Sequence, residues 1–359
     1  MALQLVVNLS SLSERPTGLS VYSQNIVPRL AELDPLVLIR ASLIEQWSKK
    51  YPYLRMEAIA DDLSSDSGAK GHARRLAWIE TGLSRRLRSV RKPLLFSPVP
   101  EAPLASSFPT VVTVHDFTAR RFFPSRHPLH QYTKHYVPRV LRRAKAVITD
   151  SNATADDAVE FAGMDRGRIT VVPLACDTEH FRPTGAERCN YFLYLGRYAR
   201  YKNIENSLIA FERAAIAGTE FWMAGPPDPG FDELLREFRD RRGLAIKFIP
   251  YPPYEALPEL LTRAIGLVFL SRSEGFGLPI LEAMACGTPV ITSNVSAMPE
   301  AAGSAATLVD PDDISATVNA MKRVAHDSEV DRSPRIAQAH SFDWNDTATL
   351  TITAIGELI

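Results

Sequence analysis

The chain has 359 residues, more than one hydrophobic core usually serves, so about two domains are expected. Apolar residues make up 45% and charged ones 23%, and 41 Lys and Arg balance 41 Asp and Glu, which argues against nucleic acid as a partner. No apolar run nears the ~20 residues that span a bilayer, and Cys176, Cys189 and Cys286 stand apart without metal-ligand or disulfide spacing, so no metal site is expected.

Short β-branched runs alternate with amphipathic stretches from end to end, the pattern of βαβ units and parallel sheets. In the first half, strands are expected at residues 3–9, 36–39, 94–96, 110–114, 146–149 and 170–172, with helices starting near Gly18, Gly71, Pro128 and Asn152. The first strand begins without a preceding basic segment and long apolar core, so no signal peptide is expected and the chain reads as cytoplasmic. In Pro16-Thr17-Gly18-Leu19-Ser20, Thr17 suits a helix N-cap and Gly18 permits close approach of a ligand to the backbone. Neither G-x-G-x-x-G nor G-x-x-x-x-G-K-[ST] is present. Residues 57–70, acidic and serine-rich, read as a mobile surface loop, and basic residues crowd between Arg74 and Lys145. His115-Asp116 follows the strand at 110–114, at the carboxyl end where open α/β sheets bind ligands. A histidine there is able to hydrogen-bond a sugar hydroxyl or a carbonyl, although His-Asp is also a common structural pair.

Periodicity breaks at Phe181-Arg182-Pro183-Thr184-Gly185, which sets domains at 1–180 and 181–340, with a cleft between them. Strands are expected at 191–195, 220–223, 245–249, 267–270, 289–292 and 307–309. Gly196-Arg197 ends the first of these, and Lys202 of Lys202-Asn203 opens the following helix. Taken singly, Arg197 and Lys202 would be surface cations; together at a strand end they suit a diphosphate. The most informative stretch runs from Ser273 through Glu274-Gly275-Phe276-Gly277-Leu278-Pro279-Ile280-Leu281-Glu282 to Met284. Two carboxylates frame a glycine loop that enters a helix, with Pro279 as first helical residue and Gly287 as C-terminal cap. The free amides and positive end of such a helix attract an anion, and the two Glu side chains then hold hydroxyls on either side of it. A phosphate flanked by polyols describes a nucleotide diphosphate sugar. A last helix is expected over 341–359, with Asp343 ahead of Trp344 as its start signal.

Together these blocks resemble the family 4 glycosyltransferases, retaining enzymes of the GT-B fold. The E-x7-E motif Glu274 to Glu282 carries most of the likeness. Ala283-Met284-Ala285-Cys286-Gly287-Thr288-Pro289-Val290, Tyr194-Leu195-Gly196-Arg197 with Lys202-Asn203, Val114-His115-Asp116 and Phe342-Asp343-Trp344 add to it. The resemblance implies an α/β GT-B architecture: two Rossmann-like domains facing each other across a cleft, the first for the acceptor and the second for the donor, with the C-terminal helix crossing back to the first. It implies that Arg197 and Lys202 bind the donor diphosphate and that Glu274 contacts the donor sugar. Gly196, Gly275 and the amides of Phe276, Gly277 and Leu278 would line the donor site, Glu282 would hold the ribose, and Gly18 would approach the donor. His115, with Asp116 beside it, would reach the sugar from the other domain. The chain departs from the family where paired glycines often stand in the first loop, here Gly18 alone, and where Pro-Asn-Gly often follows the last strand of the first domain, here Pro173-Leu174-Ala175.

The expectation is therefore a retaining, metal-independent hexosyltransferase without a cofactor. Its donor would be UDP-glucose first and GDP-mannose next, and its acceptor a glycan or lipid-linked glycan of cell-surface polysaccharide synthesis. The basic stretches 74–91 and 120–145 are either ordinary solvated helix faces or a surface for an anionic membrane, which would make the protein peripheral at the inner face. The alternatives are a two-domain sugar-binding protein without chemistry, a nucleotide-sugar epimerase of the same architecture, and a nicotinamide-dependent oxidoreductase, which the absent glycine fingerprint disfavours.

Overall fold

A computed structural model describes residues 3–13, 17–64, 68–226, 231–250, 252–326 and 331–358. Pro16 and residues 65–67 of the expected surface loop lie outside the described residues. The chain divides into two compact units: Met1–Leu174 with Trp344–Ile359, and Ala175–Asp343. The breaks expected from the sequence stood after residues 180 and 340.

The first unit is built on a parallel sheet of β1 (Gln4–Asn8), β2 (Leu36–Arg40), β3 (Arg55–Ile59), β4 (Pro93–Ser97), β5 (Thr110–Val114), β6 (Ala146–Thr149) and β7 (Ile169–Val171). Their order in space is β3-β2-β1-β4-β5-β6-β7. Every residue of β2, β4 and β5 is buried, as expected of parallel strands covered by helices on both faces, and this is why they read as unbroken apolar runs. The order reverses between β1 and β4, so the carboxyl edge there is the natural ligand crevice of this sheet.

The described residues of 57–70 are mostly not the loop expected. Arg55–Ile59 pairs in register with β2, from Leu36 opposite Arg55 to Arg40 opposite Ile59. It is an edge strand, so its polar Arg55 and Glu57 hide the strand pattern. Asp61–Leu63 then forms a 3-10 turn, and a helix runs from Gly68 to Trp78. A further helix, Ala41–Lys50, goes unannounced in the sequence because its N-cap, Arg40, offers no side-chain cap. The Asp61 carboxylate instead accepts the Ser42 N–H at 2.8 Å, and that backbone bond holds its pKa below the ordinary value.

Helix Gly18–Arg29 starts as expected at Thr17, through a reciprocal box in which Thr17 Oγ1 accepts the Ser20 N–H (3.2 Å) and Ser20 Oγ accepts the Thr17 N–H (2.7 Å). The last helix, Trp344–Gly356, packs on it within the same unit. Arg29 Nε donates to Asn345 Oδ1 (3.0 Å), and the Thr347 hydroxyl donates to the Pro173 carbonyl (2.8 Å).

The second unit holds β8 (Tyr191–Leu195), β9 (Glu220–Ala224), β10 (Ile246–Ile249), β11 (Gly266–Phe269), β12 (Val290–Ser293) and β13 (Thr307–Val309). These form a parallel sheet in the order β10-β9-β8-β11-β12-β13. Its order reverses between β8 and β11, the two strands that lead into the Gly196-Arg197 and Glu274–Glu282 segments. Both units are thus doubly wound α/β domains, and among the described residues no helix is long and apolar enough to cross a membrane.

Candidate active site

The site of the second unit grows from the ends of β8, β9 and β11. Gly196, directly after β8, takes φ 142° and donates its N–H to the Ala224 carbonyl (2.9 Å). Gly225, directly after β9, takes φ 140°, and a Cβ there would lie 2.1 Å from the Gly196 carbonyl oxygen. Gly225 is what allows the backbones to approach this closely, and Gly196 supplies the positive φ. Sequence reasoning found Gly196 and missed Gly225, whose signal was a glycine between a strand and Pro226. The Tyr194 hydroxyl donates to the Arg197 carbonyl (2.6 Å), which fixes the loop while leaving the Arg197 side chain at the surface.

Lys202 closes a 3-10 turn, Arg200–Lys202, rather than opening a helix. Asn203, in the left-handed region at φ 55°, separates it from the helix Ile204–Ala214, and its Nδ2 donates to the Pro311 carbonyl (2.6 Å). This bend sends Lys202 Nζ to the Glu274 carboxylate. The two side chains are 11% and 15% exposed, so the pair is partly desolvated and holds each partner in place. Lys202 Nζ also lies 5.2 Å from the centre of the Phe269 ring, at the end of β11.

The Glu274 backbone is bracketed by Ser296, whose Oγ accepts the Glu274 N–H (3.2 Å) and donates to the Glu274 carbonyl (2.9 Å). Ser296 sits at φ 56°, an unusual conformation for a serine, and no sequence pattern marks it. Gly275 follows, and the Phe276 ring is buried edge-on against Phe342 at 5.4 Å. Gly277, at φ 100°, caps the helix Leu278–Ala285, in which Pro279 is the second residue, not the first as expected. Pro279 has no N–H and the Ile280 N–H returns to the Gly277 carbonyl (2.9 Å). The Gly277 and Leu278 amides find no acceptor among the described residues, so they are open to donate at this helix end. The helix stops at Gly287 (φ 72°), with Gly287 N–H donating to Met284 O (2.8 Å) and Thr288 N–H to Ala283 O (2.9 Å).

Glu282 lies one turn inside that helix. Burial pushes its carboxyl up to about 7, and no donor among the described residues bonds its side chain. Its charge is felt by the Cys176 thiol and the Tyr254 hydroxyl, both themselves raised first of all by burial. A half-buried carboxylate without a protein donor is suited to receive hydroxyl groups from a ligand.

Gly18, His115 and Asp116 belong to the first unit. Gly18 is the exposed first residue of its helix, and a Cβ there would meet nothing within 4 Å. Asp116 Oδ1 accepts the Thr118 N–H (2.7 Å) and so supports the short helix Thr118–Phe122. His115 is held at both ring nitrogens: Nδ1 faces Asp150 Oδ2 at 2.6 Å and Nε2 donates to the Pro98 carbonyl at 2.8 Å. Burial alone would lower its pKa, but the Asp150 carboxylate and the Pro98 carbonyl outweigh burial and raise it above the ordinary 6.5. Sequence reasoning did not foresee Asp150, which stands directly after β6.

The sequence matches the family Glycosyl transferases group 1 at residues 177–339 and Glycosyltransferase Family 4 at residues 72–180. The chain is a family 4-like glycosyltransferase. This glycosyltransferase is 29% identical over 388 residues to the O-antigen chain mannosyltransferase B of Escherichia coli, covering 94% of this chain and 95% of that one. With the O-antigen chain mannosyltransferase RfbU of Salmonella typhimurium it shares 25% identity, covering 89% and 90%. Among solved structures, Anabaena HepE in complex with UDP and glucose is similar with a TM-score of 0.76 at 17% identity, covering 99% of this chain and 100% of that one. The lipopolysaccharide outer core galactosyltransferase WaaB is similar with a TM-score of 0.72 at 14% identity over 100% of both chains. These likenesses show the GT-B fold of two Rossmann-like domains. The glycosyltransferase matches also decide against the sugar-binding, epimerase and oxidoreductase alternatives.

Proposed function

We propose that this glycosyltransferase moves a hexose from a nucleoside diphosphate sugar to a glycan acceptor, with retention at the anomeric carbon and without a metal ion. The observation that carries this reading is the Lys202–Glu274 pair, which joins the segments that follow β8 and β11; the same two segments carry Arg197, the open Gly277 and Leu278 amides and Glu282. The bond from the anomeric carbon to the diphosphate oxygen breaks, and its electron pair leaves with the diphosphate. Negative charge therefore grows where Arg197, Lys202 and the helix amides stand, and donors already in place stabilise it most in the transition state. Lys202 has three N–H donors, so it is able to keep Glu274 and still reach a phosphate oxygen. Glu274, oriented by Lys202 and Ser296, accepts from the sugar hydroxyls, and Glu282 accepts from the ribose. With Glu274 engaged in this way, no carboxylate is assigned as nucleophile. The acceptor oxygen attacks on the face the diphosphate leaves, and its proton passes to a diphosphate oxygen. His115 is assigned to the reaction as well, on the likeness of Val114-His115-Asp116 to the family.

Two relatives matched over most of their length are named O-antigen chain mannosyltransferases, which favours mannose, carried as GDP-mannose, and a lipid-linked polysaccharide acceptor. UDP-glucose is the second reading, supported by the UDP and glucose bound to HepE. For the acceptor side, Arg139, Arg142, Arg143 and Leu104 line a cavity of about 460 Å³ in the first unit, a feature suited to an anionic membrane or headgroup. Of the other basic residues, Arg75 is buried against Glu101, and Arg74 with Asp62 and Arg121 with Asp157 are paired nearer the surface. Incubation with GDP-mannose or UDP-glucose, a polysaccharide-precursor extract and EDTA, followed by NMR of the new linkage, tests the reading. Transfer with the donor's anomeric configuration is expected, and inversion or a strict need for added metal would overturn it.

A further inference from the structure

The carboxyl edge of the first sheet carries a polar cluster that the donor site does not use. Asn8 ends β1, Ser97 ends β4, His115 follows β5 and Asp150 follows β6, and these four strands stand side by side in the order β1-β4-β5-β6. Asn8, Ser97 and Asp150 are 0%, 0% and 2% exposed. Asp150 Oδ2 meets His115 Nδ1 at 2.6 Å, while its other oxygen, Oδ1, is buried and has no partner among the described residues. Among the described residues the carboxylate charge is therefore shared with no other side-chain or backbone donor.

The ring it meets has little freedom. A carbonyl only accepts, so the 2.8 Å contact with Pro98 places a hydrogen on Nε2. The carboxylate on the other side favours a hydrogen on Nδ1 as well. The ring edge lies against Tyr22, with centroids 4.9 Å apart at 76°, and the Tyr22 hydroxyl is itself bonded to Thr113 Oγ1 (3.0 Å). The His115 carbonyl receives the Thr154 hydroxyl at 3.0 Å.

We propose that Asp150 is a positioning residue for His115, holding its ring doubly protonated and fixed in orientation at the carboxyl edge of the first sheet. His115 then offers a fixed positive charge and is not available as a base. The groups facing it agree with this. Asp150 comes from the end of β6 and the exposed Asp116 from its own loop. Tyr22 on the helix Gly18–Arg29 stays neutral because burial raises its pKa, and from the helix Asn152–Ala162 the neutral Thr154 hydroxyl reaches the His115 carbonyl. The β4 side supplies the Pro98 carbonyl. The inference rests on the reading of His115 as a residue of the reaction, and it adds what sets the state of that residue.

Asp150→Asn tests it, because an amide oxygen keeps an acceptor for Nδ1–H but removes the charge. The full chain labelled with 15N-histidine, with the His115 signals assigned through His115→Gln, is titrated by NMR in wild type and variant. A neighbouring carboxylate typically moves a pKa by one to three units, so the His115 midpoint should fall by about one to two pH units in Asp150→Asn. Release of GDP from GDP-mannose, or of UDP from UDP-glucose, should then fall about tenfold relative to wild type between pH 6 and pH 8, and recover in acid. An unchanged His115 midpoint, or a loss of turnover equal at every pH, would overturn the role of Asp150. Full turnover by His115→Gln would instead remove His115 from the reaction while leaving the coupling measured by NMR intact. The NMR measurement decides the coupling even when neither donor turns over.

Discussion

Replacing Glu282 with glutamine should stabilise the folded protein and weaken its grip on the donor. Burial raises this carboxyl from the ordinary 4.5 to about 7. The folded state therefore binds that proton more tightly than the unfolded chain, and stability is greatest below pH 4.5 and is lost as pH rises through 7. A difference of about 2.5 pH units at about 1.36 kcal/mol each gives an upper bound of about 3 kcal/mol at pH 8, and residual exposure of the side chain reduces it. Glutamine carries no such penalty. Hydrogen exchange of the Leu278–Ala285 amides, with urea unfolding of the full chain alongside, should show Glu282→Gln more protected than wild type at pH 8 and equal to it at pH 4.5. Donor affinity should change in the opposite sense, because a charged acceptor is exchanged for a neutral one. In wild type it should fall about tenfold for each pH unit below 7, as the ionised fraction falls. A Glu282→Gln protein that is less stable at pH 8, or a stability difference without pH dependence, would refute the account of this carboxyl.

Arg197→Ala and Lys202→Ala should each lower turnover by about 10²-fold or more, by analogy with loss of one preorganised donor; full turnover in both would remove them from the diphosphate site. Lys202→Ala should also release Glu274, so a crystal structure of the variant should show that carboxylate in a new position; an unmoved Glu274 would assign its orientation to Ser296 alone. Gly225→Ala should destabilise the second unit by about 3 kcal/mol in urea unfolding, because the new Cβ collides with the Gly196 carbonyl. Gly18→Ala should leave stability intact, since its Cβ meets nothing, and a loss of turnover without loss of stability would mark Gly18 as a ligand contact.

Much of the fold was legible because parallel strands buried on both faces write their pattern openly. Thr110–Val114 and Tyr191–Leu195 are five-residue runs with every position buried, and their bounds were read correctly. β3 was illegible because an edge strand tolerates Arg55 and Glu57. Helix Ala41–Lys50 was missed because the acceptor for its Ser42 amide, Asp61, arrives from 19 residues away. In the site, residues marked by local backbone demands were visible: Gly196 at a strand end, Gly277 and Gly287 at the two ends of one helix. Contacts made across long stretches of chain were not. Lys202 and Glu274 were assigned to different ligand groups, but 72 residues apart in sequence they form a pair. Ser296 and Asp150 carry no local mark because what they do depends on backbone and side chains brought by other strands.

Isothermal calorimetry with GDP-mannose and UDP-glucose on the purified full chain, wild type beside the Arg197→Ala, Lys202→Ala double variant, tests the central claim most directly. The account predicts that wild type binds at least one donor and its free nucleoside diphosphate, and that the double variant loses both. Equal binding by the two proteins, or none by a folded wild type, would contradict it.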